Sequence, residues 1–259
     1  MDLGLKDKVA VITGSSKGIG KETAMLLTEE GAKVVLVARN ETGLDEAVQE
    51  IKEKTGQTLS YVVADVTKEE DAKKIIAHAV QTYGRLDILI NNAGSAFAEN
   101  FENVELSDWQ NDLNLKLFGW LHMIHASLPE LKKQGGAILN LTAVAGKTPP
   151  AESSPTSVSR AAGLALTKTL SKDLAPYNIR VNAVCIGLIR SGQIEKRWQQ
   201  EAPEKSWEEY AIDPKFSIPL GRIGDTREAA NVISFLVSDA ASYVTGTAVN
   251  IDGGSGAAL

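Results

Sequence analysis

A glycine-rich turn near the start of the chain has the residue types of a phosphate-binding loop. It follows the apolar run Val9–Ile12 directly and precedes a segment with helical spacing. Glycine allows a tight turn and a close approach of the backbone to a ligand. A helix that begins behind the turn presents unpaired N–H groups and the positive end of its dipole. We therefore predict that a dinucleotide pyrophosphate binds here. The residues concerned are Gly14, Ser16, Lys17, Gly18, Ile19 and Gly20.

Two cations near this loop indicate which dinucleotide it would take. Lys17 lies within the loop, and Arg39 follows shortly after the second apolar run, Val34–Val37. A carboxylate at the end of that run would bind the 2′-hydroxyl of the adenosine ribose and select NAD, but the residue there is Ala38. Because a guanidinium pairs well with phosphate, the pattern favours NADP(H), with NAD(H) as the second choice. The alternative is that both cations are solvated surface residues.

Short apolar runs recur along the chain and predict the strands that would position this loop. The runs are rich in β-branched side chains, which favours buried strands over fragments of helices. Their nearly continuous hydrophobicity indicates strands that are covered on both faces, as in a parallel sheet. The predicted strands are Val9–Ile12, Val34–Val37, Leu59–Val63, Asp87–Ile90, Ala137–Leu141, Ile179–Val184 and Ala248–Ile251.

Segments with helical spacing lie between these runs. In Thr67–Tyr83, apolar residues recur at i, i+3, i+4, i+7 and i+8, which is typical of an amphipathic helix. The other predicted helices are Gly18–Glu30, Gly43–Lys54, Ser107–Lys133, Ser154–Ala175 and Arg227–Val237. The alternation of strand and helix predicts an α/β fold with a three-layer, doubly wound (Rossmann) parallel sheet of about seven strands. We expect a single domain over residues 1–259.

One long segment, at about 187–225, interrupts this alternation. A long insertion in a compact domain is usually functional and is often a lid. The segment follows the carboxyl end of a strand, where ligands of such sheets bind, so we predict a substrate lid. Its aromatic residues suggest a bulky apolar or aromatic small-molecule substrate, although core packing explains them equally well. They are Trp198, Trp207, Tyr210 and Phe216. The alternative for the segment is a small helical pair that covers exposed core.

The motifs, in their order and spacing, resemble those of the short-chain dehydrogenase/reductase family. The loop has the spacing Gly-x-x-x-Gly-x-Gly after Thr13, and the similarity continues along nearly the whole chain. Further matching segments are Asp65–Val66, Asn91–Gly94, Arg180–Val184, Pro219–Arg222 and Val244–Gly254. The resemblance implies a Rossmann fold and hydride transfer between NAD(P)(H) and an alcohol or carbonyl compound.

The resemblance also implies further cofactor contacts beyond the loop. It places Asp65 and Val66 near the adenine, and it places Ile189 and Ser191 near the carboxamide and the phosphates. The remaining implied contacts are Asn91, Ala93, Gly94, Arg160 and Gly187. One departure is that the residue before Gly187 is Ile186, whereas the family usually has proline there.

Three of the four catalytic positions of the family hold other residues in this chain. The resemblance places the family's asparagine at Asn114, which is retained. It places the serine at Ala143, the tyrosine at Thr156 and the lysine at Arg160. Thr156 and Arg160 are four residues apart and so share one face of a helix. Arg160 keeps the positive charge and could still hold the ribose hydroxyls.

These replacements predict weak or absent activity in the family's ordinary reaction. A threonine hydroxyl has no useful acidity near neutral pH, and a positioned general acid typically contributes about 10²–10⁴ in rate. Three functions therefore remain open, because fold alone does not decide between them. The chain could be an oxidoreductase with a rearranged acid, such as Tyr210 or water. It could be a pseudoenzyme, either a cofactor sensor or an inactive subunit paired with an active paralogue. It could also be a lyase or isomerase on the same scaffold.

Composition excludes several other classes of function. The formal net charge of −6 argues against a nucleic-acid-binding face. No apolar run reaches the roughly 18–20 residues that a membrane span needs, and Met1–Lys6 lack the apolar stretch of a signal peptide. The single cysteine, Cys185, fits a reducing compartment. We therefore expect a cytoplasmic protein. We expect no metal site, because no cluster of His, Cys, Asp or Glu residues has metal-ligand spacing. The family resemblance implies a homo- or hetero-oligomer, dimer or tetramer, through the helices Ser107–Lys133 and Ser154–Ala175 and the C-terminal strand.

Overall fold

Parallel strands form the central layer of the structure, a computed structural model that describes residues 2–258. Met1 and Leu259 of the predicted domain lie outside the described residues. Within that range the strands are β1 Val9–Thr13, β2 Lys33–Ala38, β3 Ser60–Val63, β4 Ile88–Asn91, β5 Ala98–Glu99, β6 Gly136–Ala143, β7 Ser154–Pro155, β8 Ile179–Ile186 and β9 Ala248–Ile251. The order in the main sheet is β3-β2-β1-β4-β6-β8-β9. The short strands β5 and β7 form a separate antiparallel pair.

Helices cover both faces of this sheet. They are α1 Gly18–Glu29, α2 Glu41–Thr55, α3 Glu69–Tyr83, α4 Leu106–Leu113, α5 Gly119–Leu131, α6 Thr156–Asp173, α7 Gly192–Glu201, α8 Trp207–Ala211 and α9 Thr226–Val237. A π-helical turn, Asn114–Phe118, joins α4 to α5. The alternation of side chains along β1 shows the layering. Ala10 and Ile12 pack in a core with α1, α2 and α9, whereas Val9 and Val11 pack in a second core with α3 and α5.

The predicted three-layer Rossmann fold is confirmed, and all of the predicted strands lie in the main sheet. Four of the predicted helices agree with the structure to within two residues at each end, and the other two differ in their secondary structure. The segment predicted as one helix, Ser107–Lys133, contains the π-helical turn, which accommodates an extra residue in one turn. The segment Ser154–Ala175 becomes helical only at Thr156, because Ser154 and Pro155 pair with β5.

The strand order places a cleft beside the glycine-rich loop. β1 has β2 on one side and β4 on the other, so the order along the sheet reverses between β1 and β4. In such sheets the connections leave the two strands toward opposite faces, and ligands bind at the carboxyl ends of the strands where this occurs. The loop after β1 and the segment after β4 meet at this point.

A tight contact between α5 and α6 fixes the helices that carry the predicted catalytic positions. Gly163 of α6 faces Trp120 of α5, and a Cβ built on Gly163 would lie 2.5 Å from Trp120 Cζ3. We expect Gly163→Ala to lower the free energy of unfolding by about 1–3 kcal/mol, the usual cost of overpacking. Urea denaturation measures this change. A gain in stability, which is the ordinary result of replacing glycine by alanine inside a helix, would contradict the contact.

Candidate cofactor and substrate site

Ser15 ties the glycine-rich loop to two strands of the sheet. Its hydroxyl donates to the carbonyl of Ile12 at 2.7 Å and accepts from the amide of Val37 at 2.9 Å. Ser15 is fully buried, so both bonds are made away from water. A buried hydroxyl needs such partners. The loop is therefore held by β1 and β2 together.

Asn92 ties the same loop to the segment after β4. Its side-chain amide donates to the carbonyls of Thr13 at 2.8 Å and Gly14 at 2.9 Å. In return the Thr13 hydroxyl accepts from the amides of Asn92 and Ala93, each at 3.0 Å. A Cβ on Gly20 would lie 2.5 Å from Asn92 Nδ2 and 2.6 Å from the carbonyl of Gly14. Only glycine fits at position 20, because the loop, the helix and Asn92 meet there.

The loop is open on the side where a ligand would approach. Gly18 has a φ of +59°, and a Cβ built on it would meet nothing within 4 Å. Lys17, at the N-cap of α1, makes no capping hydrogen bond with its side chain. The N–H groups of the first turn therefore have no side-chain acceptor there. Such groups at a helix N-terminus favour an anion.

Two neighbouring cavities lie at the carboxyl ends of the strands. The β2 cavity, of about 570 Å³, lies between the loop and the ends of β2 and β3. The β6 cavity, of about 360 Å³, lies between the loop, β6 and the start of α7. Both are lined by Gly14, Lys17, Gly94 and Ser95, so that they adjoin one another.

Most of the predicted cofactor-binding residues line these cavities. In the β2 cavity these are Gly14, Ser16, Lys17, Arg39, Asp65, Val66, Ala93 and Gly94. The β6 cavity adds Gly18, Ile19, Arg160, Gly187, Ile189 and Ser191. Gly20 and Asn91 line neither cavity. Gly20 serves the packing described above, and Asn91 is fully buried, where its amide donates to Asn140 Oδ1 at 2.9 Å.

Asp65 is a carboxylate that lines the β2 cavity, and the cations Arg39 and Lys68 lie near it. Burial raises the pKa of this carboxyl group. Hydrogen bonds from Thr67 and the nearby charges of Arg39 and Lys68 together lower it by more, so the pKa lies below its ordinary value. Asp65 is therefore ionised at neutral pH. Arg39 is exposed and lines the cavity beside Ala38, which offers no carboxylate. The guanidinium is accessible to an anion that enters here.

Three of the predicted catalytic positions form one group, the catalytic corner; Ala143 and Arg160 line the β6 cavity, and Thr156 does not. Ala143 ends β6 and lines the cavity together with Arg160. Thr156 begins α6 and directs its hydroxyl to the backbone of Phe97. The hydroxyl donates to the Phe97 carbonyl at 2.5 Å, and it accepts from the Phe97 amide at 3.2 Å and from Lys116 Nζ at 2.7 Å. A hydroxyl has one donor and two acceptor sites, so all three are in use.

The side chain of Asn114 does not contact the other predicted catalytic positions in this structure, and its role stays a prediction. Asn114 is exposed and lines neither cavity, whereas Lys116 is buried and contacts Thr156. Side chains two positions apart on a helix point to nearly opposite sides. Lys116 pairs with Asp112, whose other oxygen accepts from Ser159 Oγ at 2.5 Å. Lys116 is thus the side chain of the π-helical turn that reaches Thr156.

Lys116 was not among the residues that the sequence singled out. The one signal for it is its spacing of four residues from Asp112, which is common for ion pairs on exposed helix faces. That spacing does not reveal burial. In the structure, burial lowers the pKa of Lys116, and the nearby charge of Arg160 lowers it further. The hydrogen bond to Asp112 raises the pKa by less, so the pKa of Lys116 lies below its ordinary value.

Arg160 is a buried cation at the edge of the β6 cavity. Its Nη1 donates to the carbonyl of Leu141 at 2.6 Å, while Nε has no partner among the described residues. Burial lowers the pKa of Arg160 to about 10, so the group stays charged at neutral pH. Its Nη2 would lie 3.2 Å from a Cβ on Gly94. The guanidinium therefore lies beside the segment that separates the two cavities.

The segment 187–225 forms two helices, α7 and α8, with a small core of their own. Gly192, Gln193 and Ile194, at the start of α7, line the β6 cavity. The aromatic residues pack against one another: Trp198 on Trp207, Trp207 beside Tyr210, and Tyr210 on Phe216. None of these four rings lines the β2 or β6 cavity. They therefore give no support from this structure to an aromatic substrate.

Tyr210, considered above as a substitute acid, is fully buried within this small core. Its hydroxyl donates to Glu201 Oε2 at 3.3 Å. Burial and the nearby charge of Glu201 raise the pKa of Tyr210 above its ordinary value. Tyr210 is a packing residue in this structure, which agrees with core packing as the explanation for this aromatic residue.

Comparison with known proteins identifies the family. A family model described as enoyl-(acyl carrier protein) reductase matches residues 14–256. The chain is 39% identical over 251 residues to the 3-oxoacyl-(acyl-carrier-protein) reductase FabG of Thermotoga maritima, covering 96% of this chain and 98% of that protein. The chain belongs to the short-chain dehydrogenase/reductase family.

Solved structures of this dehydrogenase/reductase family superimpose on nearly the whole chain. L-sorbose reductase from Gluconobacter frateurii, complexed with NADPH and L-sorbose, is 33% identical, with a TM-score of 0.94 and 100% of both chains covered. The NADPH-bound short-chain oxidoreductase from Pseudomonas aeruginosa PAO1, described as containing an atypical catalytic center, is 32% identical. Its TM-score is 0.92, with 98% of this chain and 100% of that chain covered.

Among residues 2–258, none of the helices combines the length and hydrophobicity that crossing a bilayer requires. Over the same range, no group of three or more His, Cys, Asp or Glu side chains is placed to hold a metal ion.

Glu201 predicts a dependence of stability on pH in the segment 187–225. Hydrogen bonds from Arg197 and Lys215 lower the pKa of Glu201 to about 2, from an ordinary value of 4.5. A carboxyl group with a depressed pKa stabilises the fold above its unfolded pKa and loses that effect as the pH falls through its folded pKa. We therefore expect Glu201→Gln to destabilise the protein at pH 6 and to have a smaller effect at pH 3. Urea denaturation of both proteins at the two pH values measures this; an equal difference at both would contradict the assignment.

Proposed function

We propose that this chain binds NADP(H) in the joined β2 and β6 cavities, and that its ordinary alcohol–carbonyl activity is weak or absent. The observation that supports cofactor binding is that the two cavities adjoin at the glycine-rich loop and are lined by most of the residues predicted from sequence. The NADPH-bound structures of L-sorbose reductase and of the Pseudomonas aeruginosa oxidoreductase, which are similar over nearly the whole chain, support an NAD(P)-type cofactor.

The residues fit each part of such a cofactor. The N–H groups at the start of α1 and the backbone at Gly14 and Gly18 would hold the pyrophosphate. Arg39 would pair with a 2′-phosphate on the adenosine ribose, and Asp65 would lie near the adenine. Arg160 would hold hydroxyls of the nicotinamide ribose. When bound, the cofactor supplies a hydride donor or acceptor.

Thr156 supports the proposal that the family's ordinary chemistry is weak. Its hydroxyl proton is directed to the carbonyl of Phe97, and both of its acceptor sites are occupied by Lys116 and by the Phe97 amide. The hydroxyl is therefore unable to serve a substrate without breaking buried hydrogen bonds. Ala143 offers no hydroxyl to a substrate oxygen. Losing a positioned acid typically costs about 10²–10⁴ in rate.

The first experiment is a titration of the purified protein with NADPH and with NADH, followed by nicotinamide fluorescence. We expect saturable binding of NADPH, tighter than that of NADH. If neither nucleotide binds, the proposed function is wrong and the loop has only a structural role.

Arg39 is the residue we expect to decide between the two nucleotides. Arg39→Gln should weaken NADPH binding by roughly tenfold or more, the effect of losing a charged hydrogen bond, and should leave NADH binding nearly unchanged. The same titration measures both affinities. Lys68→Gln is the matched control, because Lys68 is also an exposed cation near Asp65 but lines neither cavity. Equal losses for the two nucleotides in Arg39→Gln would show that Arg39 does not contact a 2′-phosphate.

Restoring the family's residues should restore its reaction if the site geometry is intact. We expect the triple variant Ala143→Ser, Thr156→Tyr, Arg160→Lys to gain ketone reduction, by about 10²–10⁴ over the unmodified chain. The loss of NADPH absorbance with a panel of ketones measures the rate. A companion variant adds Lys116→Asn, because the ammonium of Lys116 contacts position 156, where the new tyrosine would stand. If both variants fold and bind NADPH but reduce no ketone, the assignment of these positions is wrong.

We also propose that the chain is cytoplasmic. We propose further that it forms a dimer or tetramer through the helices around the catalytic corner. Phe118, at the end of the π-helical turn, and Val158, in α6, are large apolar side chains that remain exposed. A contiguous patch of exposed apolar side chains marks an interface, and we propose that these two residues belong to one. The segment 187–225 would act as a lid, since the start of α7 lines the β6 cavity.

A further inference from the structure

The segment Ser95–Glu99 forms part of the wall of the β6 cavity. It follows β4 and the motif Asn91–Gly94, and Ser95 and Ala96 line the cavity directly. Strand β5, at the end of the segment, pairs with β7 through only two residue pairs, one of which involves Pro155. Proline has no N–H group to donate to such a pair. This pairing alone is therefore a weak attachment.

Thr156 provides the stronger attachment for the segment. Both backbone groups of Phe97 bond to the Thr156 hydroxyl, the carbonyl at 2.5 Å and the amide at 3.2 Å. The side chain of Phe97 is partly exposed, so its ring contributes little buried packing. The position of the backbone at Phe97 thus depends on the orientation of one hydroxyl group.

Lys116 fixes that orientation. Its ammonium donates to Thr156 Oγ1 at 2.7 Å and pairs with Asp112, which also accepts from Ser159. Lys116, Asp112 and Ser159 are each nearly or fully buried. A buried ion pair is held firmly, because removing one partner leaves an uncompensated charge. Arg160, the other charged group facing Lys116, repels it and cannot replace Asp112 as its partner.

We propose that Lys116 is a positioning residue that acts through Thr156 to hold Ser95–Glu99 against α6, and so sets the shape of the β6 cavity. The inference rests on the proposed function in one respect, namely that this cavity takes the nicotinamide and the substrate. The contact with Phe97 exists without either ligand. Its test can therefore be made on the ligand-free protein.

The test is hydrogen–deuterium exchange of the full-length protein, observed in peptides that cover residues 94–101. Thr156→Val removes the hydroxyl and keeps the shape of the side chain and the Lys116–Asp112 pair. Lys116→Met removes the ammonium. We expect each variant to raise the exchange of the Phe97 amide by roughly tenfold, the effect of losing one hydrogen bond. The double variant should exchange no faster than Thr156→Val alone, because both changes act through the same hydroxyl.

Two further variants separate this role from a general loss of stability. Thr156→Ser retains the hydroxyl, so exchange at residues 94–101 should stay at the level of the unmodified chain. Thr167→Val removes another buried hydroxyl of α6, which bonds to Asn140 and the Gly163 carbonyl, and should leave residues 94–101 unaffected. Unchanged exchange in Thr156→Val, or an equal increase in Thr167→Val, would overturn the proposal.

A nucleotide titration of the same variants distinguishes this proposal from the proposed function. We expect Thr156→Val to bind NADPH with nearly the affinity of the unmodified chain, but with a shifted emission of the bound nicotinamide, because the cavity wall has moved. If the unmodified chain binds no NADPH, the proposed function fails while the exchange result still decides the role of Lys116. An unshifted emission from NADPH bound to Thr156→Val would show that the contact does not shape the cavity.

Discussion

A parallel sheet whose strand order reverses between β1 and β4 has a gap at the carboxyl ends of these strands, and the whole site is built around that gap. Backbone groups at such a gap would otherwise be left without partners. Asn92 supplies them, since its amide bonds to the carbonyls of Thr13 and Gly14 while the Thr13 hydroxyl accepts from the segment after β4. The loop is thereby fixed before a ligand arrives, which reduces the ordering that binding would require.

The catalytic corner follows from a different constraint, the need of buried polar groups for partners. A threonine at the start of α6 is too short to reach into the cavity as a tyrosine would, and its buried hydroxyl bonds to the backbone of Phe97 instead. A buried lysine requires a carboxylate, and Asp112 supplies it. The resulting network is fully bonded at Thr156. A hydroxyl in that state contributes rigidity, and for the same reason it is a poor proton donor to a substrate.

Sequence predicted the parts of this structure that depend on local pattern. The strands and the glycine-rich loop could be recognised because apolar runs and glycine spacing are continuous along the chain. The burial of Lys116 could not, because a π-helical turn changes which side chains face inward, and no residue type marks such a turn. The pairing of β5 with β7 was also not predictable, since two residues form no periodic pattern. The prediction of a lid remains a proposal, with Tyr210 placed in packing.

The two cavities depend on different parts of the chain, which explains how cofactor binding and catalysis can be separated. The β2 cavity is built by the loops after β1, β2 and β3, with Ala93–Ser95 and Leu115 beside them, and none of its lining residues is a predicted catalytic position. The catalytic corner is built by α4, α6 and the end of β6. The π-helical turn connects them, because Leu115 lines the β2 cavity while its neighbour Lys116 bonds to Thr156. A change at Lys116 that moved this turn would therefore reach the β2 cavity through Leu115, whereas a change at Thr156 would act through the segment Ser95–Glu99. Comparing nucleotide affinity in the two variants separates the role of the turn from the role of the hydroxyl.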